Sequence, residues 1–319
     1  MPCGYCSVAI LIPMRTALVI PSLGAPQLDR CLEAVAALEP APDVKILVLS
    51  GGGAAPTRAN GFDVHLHRDR LGFAAAINAG IAVLAKDIES VAVLNDDALP
   101  DPGWFGALVG ALERDPELAA VQGTVVTDDR TMIDGRGIAF DRWGLPVQID
   151  RGLAVVDDHG QRTVLAISGT AGLYRMELLR QAALPHSEIL DPRFDCYHED
   201  LDLGLRLYRL GLRVQWVGGA HAVHLGSASG VSLRWRHPWW VLANRWRALA
   251  GNLSPAAFLR ALPRLLRGEI RAVRSLSRSN WRALPAAAAV AAVFPLLVAG
   301  GWRRKTPGPR LDTIPDSPR

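Results

Sequence analysis

The sequence predicts an α/β fold, in which a mostly parallel sheet carries helices on both faces, followed by a basic helical region. Strand-like and helix-like runs alternate through the first 125 residues, which is typical of parallel sheets. Charge is also divided unevenly, because residues 232–319 hold 16 Lys and Arg against 3 Asp and Glu, and residues 1–231 hold 19 against 28. This division predicts metal or nucleotide chemistry in the acidic part and contact with an anionic surface in the basic part.

Apolar periodicity gives the order of the elements. β-branched apolar runs predict strands at Ala17–Ile20, Val44–Leu49, Val91–Leu94 and Ala119–Val126. Helical spacing of apolar residues predicts helices at Leu28–Leu38, Phe73–Ala85 and Trp104–Arg114. Between Thr127 and Arg162, Gly- and Asp-rich pieces predict turns joining irregular strands. Beyond them we expect a return to the sheet at Val164–Ser168 and helices at Tyr174–Ala183 and Leu201–Leu212.

These patterns divide the chain into four predicted parts. Residues 1–13 are expected to be a dispensable extension without the positive region of a secretory signal, which favours a cytoplasmic setting. Residues 14–231 are expected to form the catalytic domain, 232–305 a membrane-associated helical region and 306–319 a disordered tail. Cys3 and Cys6 form a lone C-x-x-C without a second pair, so neither a zinc site nor a disulfide framework is expected.

The first acidic cluster, Asn95-Asp96-Asp97, directly follows a predicted buried strand. Open α/β sheets bind their ligands at the carboxyl ends of their strands. Asp97 would hold Mg²⁺ or Mn²⁺, which prefer hard oxygen ligands and bridge to phosphate oxygens. Asn95 or Asp96 would touch a nucleotide ribose or metal-bound water. The alternative is turn or helix-capping chemistry, which is common for Asp after a strand.

The second acidic cluster, Glu199-Asp200-Leu201-Asp202, begins a predicted helix. Positions 199 and 202 share a helix face, whereas Asp200 points elsewhere and would project into the crevice. A carboxylate there can take a proton from an attacking hydroxyl. The alternative is a cluster that stabilises the helix start through its dipole. Arg206, four residues after Asp202, is expected to be its structural partner.

Six motifs occur in a fixed order between about residues 15 and 250. They are Val19-Ile20-Pro21-Ser22, the run Leu71 to Ile81, Leu94-Asn95-Asp96-Asp97 with Asp101-Pro102-Gly103-Trp104, Ser168-Gly169-Thr170-Ala171-Gly172 with Arg175, Glu199-Asp200-Leu201-Asp202-Leu203 with Arg206, and His224-Leu225-Gly226. In this order the chain resembles glycosyltransferase family 2, and within it the rhamnosyltransferase-like enzymes that build bacterial polysaccharides. The resemblance implies the GT-A fold, a nucleotide-diphosphate sugar donor, a divalent metal and inversion at the anomeric carbon. The acceptor would be a hydroxyl of a glycan or of a lipid-linked molecule.

The resemblance also implies roles for individual residues. Asp97 matches the metal-binding Asp, Asp200 matches the general base, and His224 matches a His that completes the metal site in some members. His221, three residues earlier, is the rival to His224. The expected substrate contacts are Pro21 and Ser22 in the nucleotide pocket, Asn78 near the nucleotide, Asn95, Asp96 and Glu199, with Gly169 and Ala171 allowing close backbone approach.

Two departures from the family pattern leave recognition of the base open. Ser50 stands where members carry an acidic residue after the second strand, and Arg70 stands where they carry Asn. Ser50 can bond a pyrimidine edge and Arg70 can reach a phosphate. Two other functions are considered: a polyprenyl-phosphate sugar synthase, whose acceptor needs no strong base, and a non-catalytic sugar-nucleotide-binding protein.

The basic region predicts contact with an anionic membrane. At 100° per residue its arginines fall within about 80° of one helix face: Arg260, Arg264, Arg267, Arg271, Arg274 and Arg278. Apolar residues are expected on the opposite side: Leu259, Leu262, Leu265, Leu266, Ile270, Val273 and Leu276. Pro263 and Gly268 weaken this helix and allow a break near them. The alternative is a surface helix packed on the domain with solvated arginines.

Two further C-terminal segments bear on partners. The uncharged segment Leu284–Trp302 can form a hairpin or interfacial anchor, a buried helix or a transmembrane span. We favour the first, which places the protein peripherally on the inner face of the cell membrane. The Trp- and Arg-rich stretch from Trp235 to Arg247 can stack on a sugar acceptor, and no nucleic-acid motif accompanies it.

Overall fold

The computed structural model describes residues 14–52, 56, 58–59, 61–67, 69–226 and 236–316. The predictions for residues 1–13, including Cys3 and Cys6, and for Trp235 lie outside these residues. The strands are β1 Thr16–Ser22, β2 Val44–Ser50, β3 Asp63–His67, β4 Ser90–Leu94, β5 Ala98–Pro100, β6 Leu118–Thr127, β7 Ile133–Gly135, β8 Ile138–Phe140, β9 Pro146–Gln148, β10 Gln161–Thr163, β11 Ala171–Arg175 and β12 Arg213–His224. The helices are α1 Leu28–Ala36, α2 Phe73–Ala82, α3 Trp104–Arg114, α4 Met176–Gln181, α5 Glu199–Arg209, α6 His237–Asn252, α7 Pro255–Ser279 and α8 Ala283–Arg303.

One sheet in the order β10-β12-β6-β11-β4-β1-β2-β3 forms the centre of the fold. The pairings of β4 with β1, β1 with β2, β2 with β3 and β12 with β6 are parallel, whereas β11 runs antiparallel between β4 and β6. Strand β5 pairs with β12, β7 pairs with β6, and β8 and β9 form a separate hairpin. The predicted mostly parallel α/β sheet is confirmed.

Alternation along β1 explains why helices cover both faces of the sheet. Leu18 and Ile20 are buried with apolar residues of α1 and α3 on one face. Ala17 and Val19 are buried with residues of α2, α4 and α5 on the other. Successive side chains of a strand point to opposite faces, so a strand buried on both sides is a continuous apolar run.

Two element predictions in the middle of the chain are wrong. Residues 164–168 do not form a strand; the segment runs beside the sheet, with Ala166 making only an isolated bridge to Ile138. Tyr174 belongs to β11, and the helix begins at Met176. A run as short as Ala171–Arg175 fits a strand as well as a helix. Its antiparallel pairing with both β4 and β6 makes it a strand.

The C-terminal helices pack together in a third core that includes Trp246, Phe258 and Val298. Helix α7 continues unbroken through Pro263, so the break that the sequence allows does not occur. The predicted opposition of faces on α7 holds only in part: Leu265 is buried, whereas Leu259, Leu266 and Ile270 are exposed beside the arginines.

The expected disordered tail is also corrected, for residues 306–316. The Arg310 guanidinium donates to carbonyl oxygens at the ends of α6 and α8, including those of Ala250 at 2.7 Å and Trp302 at 2.8 Å. The Arg209 guanidinium donates to Thr306 Oγ1 at 2.8 Å and to the Pro309 carbonyl at 2.6 Å. Carbonyls at helix ends need donors, and this segment, poor in apolar residues, supplies them.

Candidate active site

The carboxyl ends of β1 and β4 form the floor of the candidate site. The two strands are parallel neighbours, so the residues that follow them emerge side by side. Ser22 Oγ donates a 2.6 Å hydrogen bond to Asp96 Oδ2. Burial raises the pKa of Asp96, the Ser22 bond opposes this, and nearby Asp97 adds to it, so the pKa lies at about 6. Pro21 is buried in β1 directly before Ser22.

A turn between the two acidic clusters joins them. The backbone N–H of Asn95 donates to the carbonyl of Thr170 at 2.9 Å. The backbone N–H of Gly169, one residue earlier, donates to Asp200 Oδ2 at 3.1 Å. Asp200 is therefore only two short contacts away from the segment that carries Asp97. This proximity follows from the topology. Because β11 pairs antiparallel with β4, the turn before β11 lies at the carboxyl end of β4.

Asp200 lies in the first turn of α5, held by backbone donors. Besides the Gly169 bond, its Oδ1 accepts from the Leu201 N–H at 2.7 Å. Burial raises the pKa of Asp200, and the bonds from Gly169 and Leu201 work against that rise. A carboxylate with a raised pKa is a stronger proton acceptor than an ordinary aspartate. The geometry thus fixes the carboxylate in place without neutralising it with a cation.

Glu199 is more deeply buried than Asp200. Glu199 is 5% exposed, and its Oε2 has no hydrogen-bond partner among the described residues. Burial, followed by the charge of Asp200, raises the pKa of Glu199 well above its ordinary value. Both carboxyls line a small, mostly apolar cavity that also includes Phe73 and Tyr174. The neutral, protonated form of Glu199 is therefore favoured in the folded protein.

His224 lies between two carboxylates at the other side of the floor. Its Nε2 is 3.5 Å from Asp97 Oδ2, and its Nδ1 is 2.8 Å from Asp134 Oδ2. Burial alone would lower the pKa of His224, but the bonds to Asp134 and Asp97 outweigh it and raise the pKa to about 9. His221 belongs to the same strand three residues earlier. An odd spacing along a strand turns its side chain to the opposite face, so the structure favours His224 over His221.

Asp97 and His224 fit a divalent cation. Asp97 Oδ1 is buried without a hydrogen-bond partner among the described residues, and the imidazole faces the same carboxyl group. Mg²⁺ and Mn²⁺ accept such ligands and fill their other positions with water and phosphate oxygens. No cluster of three His, Cys, Asp or Glu side chains forms a closed metal cage within the described ranges. Two protein ligands would thus need a phosphate-bearing ligand to complete the coordination.

A strained turn precedes Asp200. Asp195, Tyr197 and His198 have φ angles of 59°, 68° and 68°, a left-handed conformation that costs non-glycine residues about 1 kcal/mol or more each. The Asn244 side-chain amide from α6 holds this turn, because it donates to the carbonyls of Phe194, Cys196 and Tyr197 at 2.6, 2.8 and 3.1 Å. Strain held in this way clusters at functional sites.

Tyr197 belongs to the same turn. It is 36% exposed, and its ring meets the His237 ring edge-on at 4.9 Å. Burial, followed by nearby Cys196, Glu199 and Asp97, raises the pKa of the Tyr197 phenol. The charges of Glu199 and Asp97, one from each acidic cluster, thus both act on the Tyr197 phenol.

Asn78, one of the predicted substrate contacts, makes structural hydrogen bonds. The Asn78 Oδ1 accepts from the backbone N–H groups of Ile189 and Leu190, and its Nδ2 donates to the Leu190 carbonyl at 2.7 Å. These bonds position the segment before α5. Ala171 begins β11, and its methyl group is completely buried. Gly169 approaches Asp200 through its backbone, as its N–H bond shows.

Ser50 and Arg70, the two residues that depart from the family pattern, both bond to other parts of the protein. Ser50 is 1% exposed, and its hydroxyl accepts from the Leu71 N–H at 3.2 Å. Arg70 forms bonds of 3.0 and 3.3 Å with Asp195 and lies over the Trp240 ring at 5.8 Å. Ser50 thus bonds the backbone just before α2, and Arg70 braces the strained turn at Asp195.

Sequence reasoning missed Asp134, Tyr197 and Asn244. The Asp134-Gly135 pair has the composition of an ordinary turn. Pairing of β7 with β6 and of β6 with β12 places it beside His224. Asn244 lies in a helical segment whose amide partners are 47 to 50 residues away. No local pattern in the sequence signals contacts of that range.

Comparisons with known proteins identify the family and the fold. Residues 13–246 match the family described as "Glycosyltransferase like family 2". Among curated proteins, none matches the sequence. A crystal structure of GalNAc-T7 with UDP, GalNAc and Mn²⁺ is similar with a TM-score of 0.57 and 14% identity, covering 79% of this chain and 51% of that chain. The present chain thus corresponds to about half the length of that structure.

A second similar structure is the mannosyltransferase PcManGT from Pyrobaculum calidifontis in complex with GDP-Man and Mn²⁺. Its TM-score is 0.53 at 17% identity, and the match covers 90% of this chain and 79% of that chain. At these identities the likeness concerns the fold. Both relatives have the α/β arrangement described above.

Proposed function

Because the chain belongs to glycosyltransferase-like family 2 and has the GT-A fold, we propose that it transfers a sugar from a nucleotide-diphosphate donor to a hydroxyl acceptor with inversion. The acceptor is a glycan or a lipid-linked molecule, and a hexose or rhamnose is the sugar class. One observation carries the proposal: the Gly169–Thr170 turn links Asp200 to the strand end that carries Asp97. If Asp97 binds the ion and Asp200 takes the proton, the two carboxylates must lie close to each other.

In this proposal Asp97 and His224 hold the divalent ion. The bound ion would neutralise charge that develops on the departing diphosphate. Asp134 accepts a hydrogen bond from His224 Nδ1 and thereby turns Nε2 toward Asp97. Ser22 and Asp96, joined by their 2.6 Å bond, border the place where the nucleotide would lie.

Asp200 acts as the general base. Its carboxylate takes the proton of the acceptor hydroxyl while the acceptor oxygen bonds to the anomeric carbon and the bond to the diphosphate breaks, its electron pair leaving with the diphosphate. The backbone donors of Gly169 and Leu201 hold the carboxylate through the step. Tyr197, partly exposed in the turn before Asp200, offers an aromatic face on which a sugar ring can stack.

Release of nucleoside diphosphate from a panel of nucleotide sugars, with and without Mn²⁺, tests the proposal. We expect one donor to be consumed in the presence of a hydroxyl acceptor, and only with the metal. Turnover with a polyprenyl phosphate but no hydroxyl acceptor would favour the lipid-phosphate synthase. Donor binding without release under any acceptor would indicate a binding protein and contradict the proposal.

A further inference from the structure

Helix α7 carries a stripe of exposed apolar side chains. Leu259, Leu266 and Ile270 are 57%, 45% and 53% exposed, and at 100° per residue they fall within about 40° of one another. Leu265 and Gly268 of the same helix are buried against the rest of the protein. Helix α7 therefore has two apolar sides, one packed inward and one turned to solvent, which is more apolar surface than packing requires.

Arginines border the exposed stripe. Arg267, Arg274 and Arg278 are exposed, and the centre of the arginine stripe lies about 100° from the centre of the apolar stripe. Glu269 is the only acidic residue of α7 and α8, and it is ion-paired with Arg245 of α6. The outer surface of this region is thus cationic and apolar together.

Helix α8 extends the apolar surface. By length and composition α8 could span a membrane. Only 22% of its most apolar 18-residue stretch is buried. Leu284 and Leu296 are 59% and 73% exposed, and Trp281 in the preceding turn is 70% exposed. Exposed Trp beside Arg is typical of the boundary between lipid headgroups and acyl chains.

Contacts at the inner side of α8 favour lying on a membrane over crossing it. Val290, Leu297 and Val298 are buried in the third core. Arg304, just after the helix, forms ion pairs with Asp191 at 2.8 Å and with Asp202 of α5. A spanning helix would have to give up this packing and remove Arg304 from two buried carboxylates, which would leave Asp191 with Arg193 and Asp202 with Arg206, an unfavourable loss.

We propose that the outer faces of α7 and α8 dock on an anionic lipid bilayer. The exposed apolar side chains enter the headgroup boundary, and the arginines bind lipid phosphates. Charge selects this occupant over a second copy of the chain, because two faces with the same arginine stripe would repel each other. The inference is independent of sugar transfer.

Co-sedimentation of the full chain with vesicles tests the proposal. The vesicles are phosphatidylcholine alone, and phosphatidylcholine mixed equally with phosphatidylglycerol. We expect binding to the mixed vesicles that weakens with added salt. The variant with Leu259→Glu, Leu266→Glu and Ile270→Glu should lose about tenfold or more in partitioning. The variant with Arg267→Gln, Arg274→Gln and Arg278→Gln should lose about a hundredfold, since each near-surface arginine is worth about fivefold.

Leu66→Glu and Leu153→Glu are the matched controls, because these leucines are 61% and 59% exposed on the α/β domain. They should bind vesicles like the wild type. An unchanged melting temperature shows that each variant is folded. Absence of wild-type binding to the mixed vesicles, or equal binding of the triple Glu variant, would overturn the proposal. So would self-association in sedimentation velocity that the triple Glu variant abolishes, because a second copy would then cover the face.

Discussion

Asp200 and Gly169 are joined by a 3.1 Å hydrogen bond from a backbone N–H to a carboxylate oxygen. The bond fixes the orientation of the proposed base from outside its own helix. It also ties α5 to the turn that meets the segment of Asp97. The same bond therefore sets the position of the proposed base relative to the proposed ion site.

Gly169→Ala should lower turnover by about tenfold or more while leaving donor binding intact. A Cβ at this position would lie 3.2 Å from the Phe73 ring, so the ring or the turn must shift, and we expect the shift to disturb the bond to Asp200. Small misplacements of a reacting group have large kinetic effects. Steady-state kinetics and calorimetry with the donor check the result. Gly103→Ala is the control, because nothing lies within 4 Å of a Cβ there. Equal turnover of the two variants would contradict this role of Gly169.

Asp134→Asn should weaken Mn²⁺ binding by about tenfold or more. The reason is that Asp134 accepts from His224 Nδ1 and fixes which ring nitrogen faces Asp97. Electron paramagnetic resonance of free Mn²⁺, titrated with protein and nucleoside diphosphate, measures the affinity without turnover. Asp128→Asn serves as the control, since Asp128 is exposed and, among the described residues, its one ion pair is with Arg30 at 3.8 Å. Unchanged affinity in Asp134→Asn would remove Asp134 from the site.

Asn244→Ala should lower the free energy of unfolding by about 3 kcal/mol and reduce turnover as well. Three carbonyls of the strained turn lose their donor, and a buried polar group without a partner costs about 1–3 kcal/mol. Asn244→Asp should destabilise the protein more, because it places a carboxylate against carbonyl oxygens. Urea denaturation checks both variants. If Asn244→Asp were as stable as the wild type, the turn would not depend on this amide.

Glu199→Gln should make stability less dependent on pH. Burial raises the pKa of Glu199 in the folded protein, so the folded state holds its proton to higher pH than the unfolded state. Stability is therefore present below the ordinary Glu value and is lost as pH rises toward the raised pKa. Gln mimics the protonated acid and removes this loss. The midpoint of urea unfolding, measured for both proteins between about pH 5 and about pH 8, tests this prediction. Asp200 also has a raised pKa, so some slope should remain; an unchanged slope would contradict the assignment.

Much of the α/β domain could be predicted, because its strands are buried on both faces. The run Val91–Leu94 and the apolar spacing of Trp104–Arg114 allow few other structures, and α3 has the predicted bounds. Tyr174 shows the limit. The residues around Tyr174 suit a strand or a helix, and only pairing with the neighbouring strands β4 and β6 makes them a strand.

The site was predictable where a strand end fixes it and not where distant segments complete it. Asp97 and Asp200 stand in recognisable local patterns. The Asn78 amide, by contrast, reaches residues 111 and 112 positions away, which sequence spacing cannot indicate. The same holds for residues 306–316, whose order rests on arginine contacts with helix ends rather than on apolar burial.

Donor binding and turnover, measured together in Asp97→Ala and Asp200→Asn, test the central claim most directly. With Mn²⁺ and whichever nucleotide sugar the wild type consumes, Asp200→Asn should bind the donor normally and lose about a hundredfold or more in turnover. Asp97→Ala should lose the Mn²⁺-dependent part of binding as well. Donor binding that Asp97→Ala leaves unchanged, or turnover that Asp200→Asn retains, would contradict a shared site with divided roles.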